Sequence, residues 1–245
     1  MTSLHLNCDA GEDDALNLSS NFQDAFRYIS AANIACGAHA GSERIISKTT
    51  SLCLKHNVQI GLHPSYDDRP NFGRKVQKPS FNDLYETVFG QLRFAGAIVT
   101  KTGGRVIHIK PHGALYNQTA KDVEQCKAVY KAIKEFDPEI WVYGLPGTVH
   151  EKVAAEYDLK FCAEGFGDRS YQNSISLRSR RYEDCILTVA SDVVEHVERL
   201  IAGKVVTIDD GIVDIQVDTV CVHGDNMNLL SILQALHKNF EVAKS

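Results

Sequence analysis

Short apolar runs recur along the chain, each followed by a polar elbow and then an amphipathic stretch, the alternation expected of βα units. Seven such runs occupy residues 4–8, 32–36, 58–62, 106–110, 140–144, 160–163 and 219–222. Most are continuously apolar, as strands buried on both faces of a parallel sheet require. Helices are predicted over 42–56, 81–102, 121–136, 148–157, 191–202 and 228–240. Ser80 before Phe81, with Asp83 three residues on, reads as a capping box, and Gly103-Gly104 supplies the left-handed-tolerant residue that closes that helix. Segment 204–217 breaks the rhythm, because two β-prone runs flank the hairpin turn Asp209-Asp210-Gly211. The apolar stripe over 88–98, the leucines at 229, 230, 233 and 236, and Trp141 inside a strand read as core. The expected architecture is α/β: one domain over 1–245, a seven-stranded parallel (β/α) barrel-like fold with a small inserted β-hairpin. A doubly wound open sheet is the alternative, and both gather ligands at the carboxyl ends of their strands.

Composition narrows the function classes. The 245 residues are 44% hydrophobic, enough to bury a sizeable core without staples. Formal net charge is −5 with Lys and Arg dispersed, which argues against nucleic acid or an anionic membrane and for a small-molecule substrate. The seven cysteines form no C-x-x-C pair and read as reduced thiols. With no signal-like leader and no run approaching ~18 apolar residues, a cytoplasmic location is expected.

The chemistry lies in the elbows. The first strand ends in Asn7-Cys8-Asp9-Ala10-Gly11-Glu12, and the second runs through Asn33 to His39. The third leads into His63 to Arg74, passing Asp68-Arg69, and the fourth into Lys110-Pro111-His112-Gly113-Ala114-Leu115-Tyr116-Asn117. The sixth carries Asp168-Arg169 and the seventh His223-Gly224-Asp225. Each elbow alone reads as a capped turn. Structural roles give no reason for His39, His63, His112 and His223 to follow the ends of four different strands, whereas an active site at one rim does. Asp9, His39 and His63 would offer a carboxylate and two imidazoles to a divalent cation. The metal-free alternative is an Asp–His pair acting as general base. Lys110 with His112 is placed to stabilise an oxyanion or phosphoryl oxygen, while Arg69, Arg74, Arg169 and Arg178 offer forks for carboxylate or phosphate. No phosphate loop of the G-x-x-x-x-G-K-[ST] type and no dinucleotide fingerprint is present.

Taken in order, these blocks resemble the LamB/YcsF family, the lactam-utilisation proteins recognised as the A component of ATP-dependent bacterial 5-oxoprolinase. The likeness runs from about Leu4 to the C-terminal helix and rests on Asn7-x-Asp9-x-Gly11-Glu12, Asn33 to Gly41, His63 to Arg69, Asn71 to Arg74, Lys110 to Asn117 and Val222 to Asp225. Departures are Ala10, Ser42, Asp67 and Gly167, none of which removes a candidate catalytic side chain. The resemblance implies a barrel similar to that of sugar deacetylases and the opening of 5-oxo-L-proline to L-glutamate with ATP consumed. It implies ATP as cosubstrate and separate subunits B and C as partners; the residues themselves leave a divalent metal (Mg or Zn) as a further candidate, and self-association stays open. Asp9, His39, His63, Lys110 and His112 are then the expected catalytic residues, and Asp9, His39 and His63 the metal candidates. Asn7, Glu12, Asn33, Arg69, Arg74, Tyr116, Asn117, Asp168, Arg169, His223 and Asp225 are expected to contact substrate or nucleotide. Two rival readings are a stand-alone metal-dependent amide or N-acetyl hydrolase and a non-catalytic regulatory chain that binds a small acid.

Overall fold

The computed structural model describes residues 3–12 and 20–244. Seven parallel strands close into a barrel: β1 Leu6–Ala10, β2 Ala31–Ala35, β3 Gln59–His63, β4 Val106–Ile109, β5 Trp141–Gly144, β6 Lys160–Phe166 and β7 Thr219–Val222. They pair in chain order, and β7 closes the ring on β1 (Cys221↔Asn7) and on β6 (Thr219↔Glu164). Around it lie α1 Ser20–Ala25, α2 Glu43–His56, α3 Phe81–Lys101, α4 Gly113–Thr119, α5 Val123–Phe136, α6 Val149–Glu156, α7 Ala190–Ile201 and α8 Leu229–Asn239. The expected open-sheet alternative is therefore replaced by closure. No described helix is long and apolar enough to cross a membrane, and all seven cysteines are unpaired.

The strands alternate in chemistry. Leu6, Cys8, Ala10, Ile34, Leu62, Ile109, Val142, Val220 and Val222 are buried in the hydrophobic cluster they share with helical residues such as Val88, Leu92 and Leu233. The intervening positions, Asn7, Asp9, Asn33, His108, Lys110 and Glu164, are just as buried but polar. They reach one another across strands that are not neighbours, so they fill the barrel interior, where Val, Ile and Leu are the usual occupants. Period-two polarity inside apolar runs announces this arrangement.

Helix ends follow local chemistry. Ser80 Oγ accepts from the Asp83 N–H, Ser42 Oγ from Ile45 and Asp122 Oδ1 from Gln125. Asn57 ends α2 in the left-handed region at φ 53°.

Several expectations are corrected. The first run is split: Ser3–Leu4 pairs in parallel with Glu241–Val242, and the barrel strand starts only at Leu6. The sixth strand continues past Ala163 to Phe166, which puts Glu164 inside the barrel wall. Trp141 is not core but 44% exposed, because it opens β5 at the end of the barrel away from the polar elbows. The hairpin Lys204–Thr207 with Gly211–Asp214 is present, but Tyr171–Asn173 and Ser176–Leu177 extend it to a four-stranded sheet. Helix α4, an elbow in the sequence reading, follows β4 and begins at Gly113, whose φ is +54°.

At Gly61 the absence of a side chain is indispensable to the barrel interior. A Cβ there would lie 2.0 Å from His108 Nε2, the nitrogen that holds Asn33 Oδ1 at 2.7 Å. Gly61→Ala is expected to cost about 1–3 kcal/mol through overpacking, read as a lowered urea midpoint with an unchanged m-value.

Candidate active site

The interior polar side chains form a hydrogen-bonded column. At its base the Asn7 amide donates to Thr219 Oγ1 (2.9 Å), and Asn33 Nδ2 donates to both Asn7 Oδ1 (2.8 Å) and Asp9 Oδ1 (2.8 Å). Above it, Lys110 Nζ sits 3.1 Å from Asp9 Oδ1, 2.8 Å from Glu164 Oε1 and 3.0 Å from Cys221 Sγ. Burial opposes the ammonium charge, but Asp9, Cys221 and Glu164 outweigh it and raise the Lys110 pKa well above the ordinary lysine value. Burial likewise opposes ionisation of Asp9, yet the neighbouring His63 and Lys110 side chains hold its carboxyl well below the usual range. Lys110 is thus a fixed cation and Asp9 a fixed anion.

Above this pair lies a cluster of three histidines whose tautomers are set by their outer contacts. His63 Nδ1 donates to Lys110 O (2.7 Å), and His112 Nε2 donates to Phe72 O (3.0 Å). Ser65 Oγ gives its only proton to Tyr66 O, so it accepts from His39 Nδ1 at 2.9 Å. The lone-pair nitrogens are then His39 Nε2, His63 Nε2 and His112 Nδ1. They converge with two carboxylates: His63 Nε2 is 2.9 Å from His112 Nδ1 and 3.5 Å from Asp9 Oδ2. Glu12 Oε1 lies 3.1 Å from His39 Nε2 and 3.2 Å from His112 Nδ1. Acceptors facing acceptors require a proton or a cation between them. Burial, with Asp9 and Asp225 adding, pushes Glu12 well above the usual carboxylate range. Burial also holds His39 and His112 well below the ordinary imidazole value.

Among the described residues, Asp9, Glu12, His63 and His112 form a group whose ligand atoms all lie within 4.8 Å of one another. Two carboxylates and two imidazoles fit a divalent metal of the zinc type better than magnesium, and backbone carbonyls behind the imidazoles are the usual orienting partners. The expected trio differs from this group, which takes in Glu12 and His112 and leaves out His39. That ring stands behind Glu12, stacked on His112 with ring centroids 3.8 Å apart.

The cluster opens into a cavity of about 550 Å³, floored by Asp9, His63, Lys110 and His112. Arg74, Tyr116, Asn117, Arg169 and His223 also line it. Asp168 lies behind the wall, accepting from His223 Nδ1 (2.8 Å), the His223 N–H (3.1 Å) and Asn226 Nδ2 (3.0 Å). Asp225 ties down Arg74. Arg69 is turned away from the cavity and clamps the carbonyls of Gly37 (2.8 Å) and Gly41 (2.7 Å). Reading the sequence by elbows gives no role to Ser65, Glu164 and Asn226, which lie within them, and passes over His108, whose detectable signal is an imidazole inside an apolar run.

Comparison with known proteins bears on the family and the fold. The A component of 5-oxoprolinase from Shouchella clausii is 38% identical over 242 residues, covering 98% of this chain and 96% of that protein. Its counterpart in Bacillus cereus is 34% identical over 244 residues, covering 99% and 96%. The crystal structure of a lactam utilization protein from Thermus thermophilus superposes with a TM-score of 0.88 at 33% identity over 100% of both chains. A structure from Enterococcus faecalis V583, 11% identical with a TM-score of 0.58 and covering 99% and 97%, shares the fold alone. The LamB/YcsF family model matches residues 4–245, and the chain belongs to that family.

Proposed function

We propose that this chain is the ring-opening component of an ATP-dependent 5-oxoprolinase, working with partner subunits B and C to convert 5-oxo-L-proline to L-glutamate. The observation that carries the reading is the floor of the cavity, where a fixed cation, a fixed anion and inward-facing imidazole lone pairs meet. The naming of whole-length relatives as a 5-oxoprolinase component supports the choice of substrate.

A lactam amide is a poor electrophile, so coupling to ATP is chemically reasonable: transfer of the terminal phosphoryl group to the amide oxygen, with ADP leaving, creates a carbon that water can attack. Cleavage of the C–N bond then gives the amine and an acyl phosphate, which a second water hydrolyses to the carboxylate and phosphate. Lys110, held protonated, is suited to neutralise charge on the carbonyl or phosphoryl oxygen and unsuited to act as a base. Asp9 Oδ2 and His63 Nε2 face the same space, so His63 Nε2 takes the proton from the attacking water and the Asp9 anion stabilises the imidazolium that forms. That proton passes from His63 Nε2 to His112 Nδ1, 2.9 Å away, which delivers it to the departing ring nitrogen. A divalent cation held by Asp9, Glu12, His63 and His112 would occupy those same lone pairs and would supply, in place of the two imidazoles, polarisation of that oxygen and a more acidic water.

The decisive experiment is reconstitution. The purified chain, alone and with subunits B and C, is incubated with 5-oxo-L-proline with and without ATP, and glutamate is measured. Release that needs both ATP and the partners is expected; no release in any combination would refute the proposal. The convergent lone pairs also favour a second reading, a cation-dependent amide hydrolase that acts alone. Stoichiometric zinc together with ATP-independent turnover would establish it instead.

A further inference from the structure

The cavity mouth has more positive charge than the protein answers. Three chain segments bring cations to it: Arg74 from the loop after β3, Lys121 from just past α4, and Arg169, Arg178, Arg180 and Arg181 from the insertion between β6 and α7. Asp225 pairs with both Arg74 and Arg180 (3.6 Å to the latter), and Asp184 pairs with Arg178 at 2.7 Å. Lys121, Arg169 and Arg181 have no acidic partner among the described residues.

Arg169 is the most informative of these. It is only 5% exposed, its Nε and Nη2 are taken by the carbonyls of Cys185 (2.9 Å) and Arg178 (2.7 Å), and its Nη1 has no acceptor among the described residues. With two of its nitrogens held by carbonyls and no carboxylate at salt-bridge distance among the described residues, Arg169 leaves Nη1 open toward the cavity, where an anion would complete it. Burial first, then the Arg180 charge, pushes its pKa down to about 10, as expected of a place short of negative charge.

We infer that this mouth is a phosphoryl-binding subsite, in which Lys121, Arg169 and Arg181 receive a multiply charged phosphate group above the Lys110 floor. The inference rests on the proposed ring opening for the source of the phosphate, a nucleotide or a phosphorylated substrate. A lactam carboxylate brings one negative charge, too few for three unanswered cations, and planar guanidinium forks match phosphate oxygens. The subsite would give a chain without a phosphate loop its own hold on the phosphoryl group.

Calorimetry on the full chain at fixed ionic strength, without 5-oxo-L-proline, tests this with inorganic pyrophosphate, ATP, adenosine and glutarate. Lys121 and Arg181 are exposed, so the double variant Lys121→Gln/Arg181→Gln is expected to keep its melting temperature. Pyrophosphate and ATP should bind, adenosine should not, glutarate should bind more weakly, and the double variant should lose about tenfold or more for both phosphates. Equal affinity for pyrophosphate and ATP identifies the phosphoryl group alone as the ligand; tighter ATP binding points to a nucleotide. Absence of pyrophosphate binding, glutarate binding as tight as pyrophosphate, or an unaltered affinity in the double variant at unchanged melting temperature would overturn the inference. If pyrophosphate binds here but reconstitution yields no glutamate, the ring-opening reading falls and the subsite stands. Glutamate release with unaltered phosphate binding in the variant gives the reverse.

Discussion

Asp9→Asn should lower kcat/KM for glutamate release about 10³-fold while leaving the fold in place. The two side chains have nearly the same shape, and Lys110 retains Glu164 at 2.8 Å as a carboxylate partner after the change. What disappears is the anion facing His63 Nε2 at 3.5 Å. The amide cannot stabilise the imidazolium that forms when His63 takes a proton from water, and as a metal ligand it is neutral where the site needs charge. General-base assistance alone contributes roughly 10²- to 10⁴-fold, which sets the size of the loss. The measurement is steady-state turnover in the reconstituted system beside a thermal melt. An Asp9→Asn protein with more than a tenth of wild-type activity would remove this carboxylate from the mechanism.

The largest effect on stability is expected from Lys110→Met. The lysine is 2% exposed and is the cation between Asp9 and Glu164. Removing it leaves two buried carboxylates with their mutual repulsion unanswered, and breaking a buried ion pair on one side costs about 3–5 kcal/mol. In a chain of this size that lowers the melting temperature by roughly 10 °C. The double variant Lys110→Met/Glu164→Gln should regain a good part of the loss, because one of the stranded charges is gone. Both variants should be inactive, since neither keeps a cation beneath the reacting oxygen. A double variant no more stable than the single one would show that Glu164 and Lys110 do not depend on each other.

The barrel is visible in the sequence because seven short apolar runs alternate with amphipathic stretches, and local chemistry fixes helix ends at Ser42, Ser80 and Asn57. The histidines are visible as strand-end residues, and the structure brings His39, His63 and His112 into one cluster. Which of them turn a lone pair inward is not visible, because Lys110 O, Phe72 O and Ser65 Oγ decide it from distant segments. Glu164 escapes because the apolar run of the sixth strand stops one residue before it. Trp141 is misplaced because apolar character alone does not say whether a strand residue lies at the middle of the barrel or at its open end. Arg69, a substrate fork by its sequence setting, answers two glycine carbonyls that only the folded loop presents to it.

The polar column along the barrel axis ties reactivity to durability at one point. Asn7, Asn33 and His108 bond to one another inside the barrel, Lys110 holds Asp9 and Glu164, and strand exteriors meet the helices in an apolar jacket. Lineages can retune the jacket for heat or cold while the axis stays as it is. A change at Lys110 is felt in stability and in reactivity together.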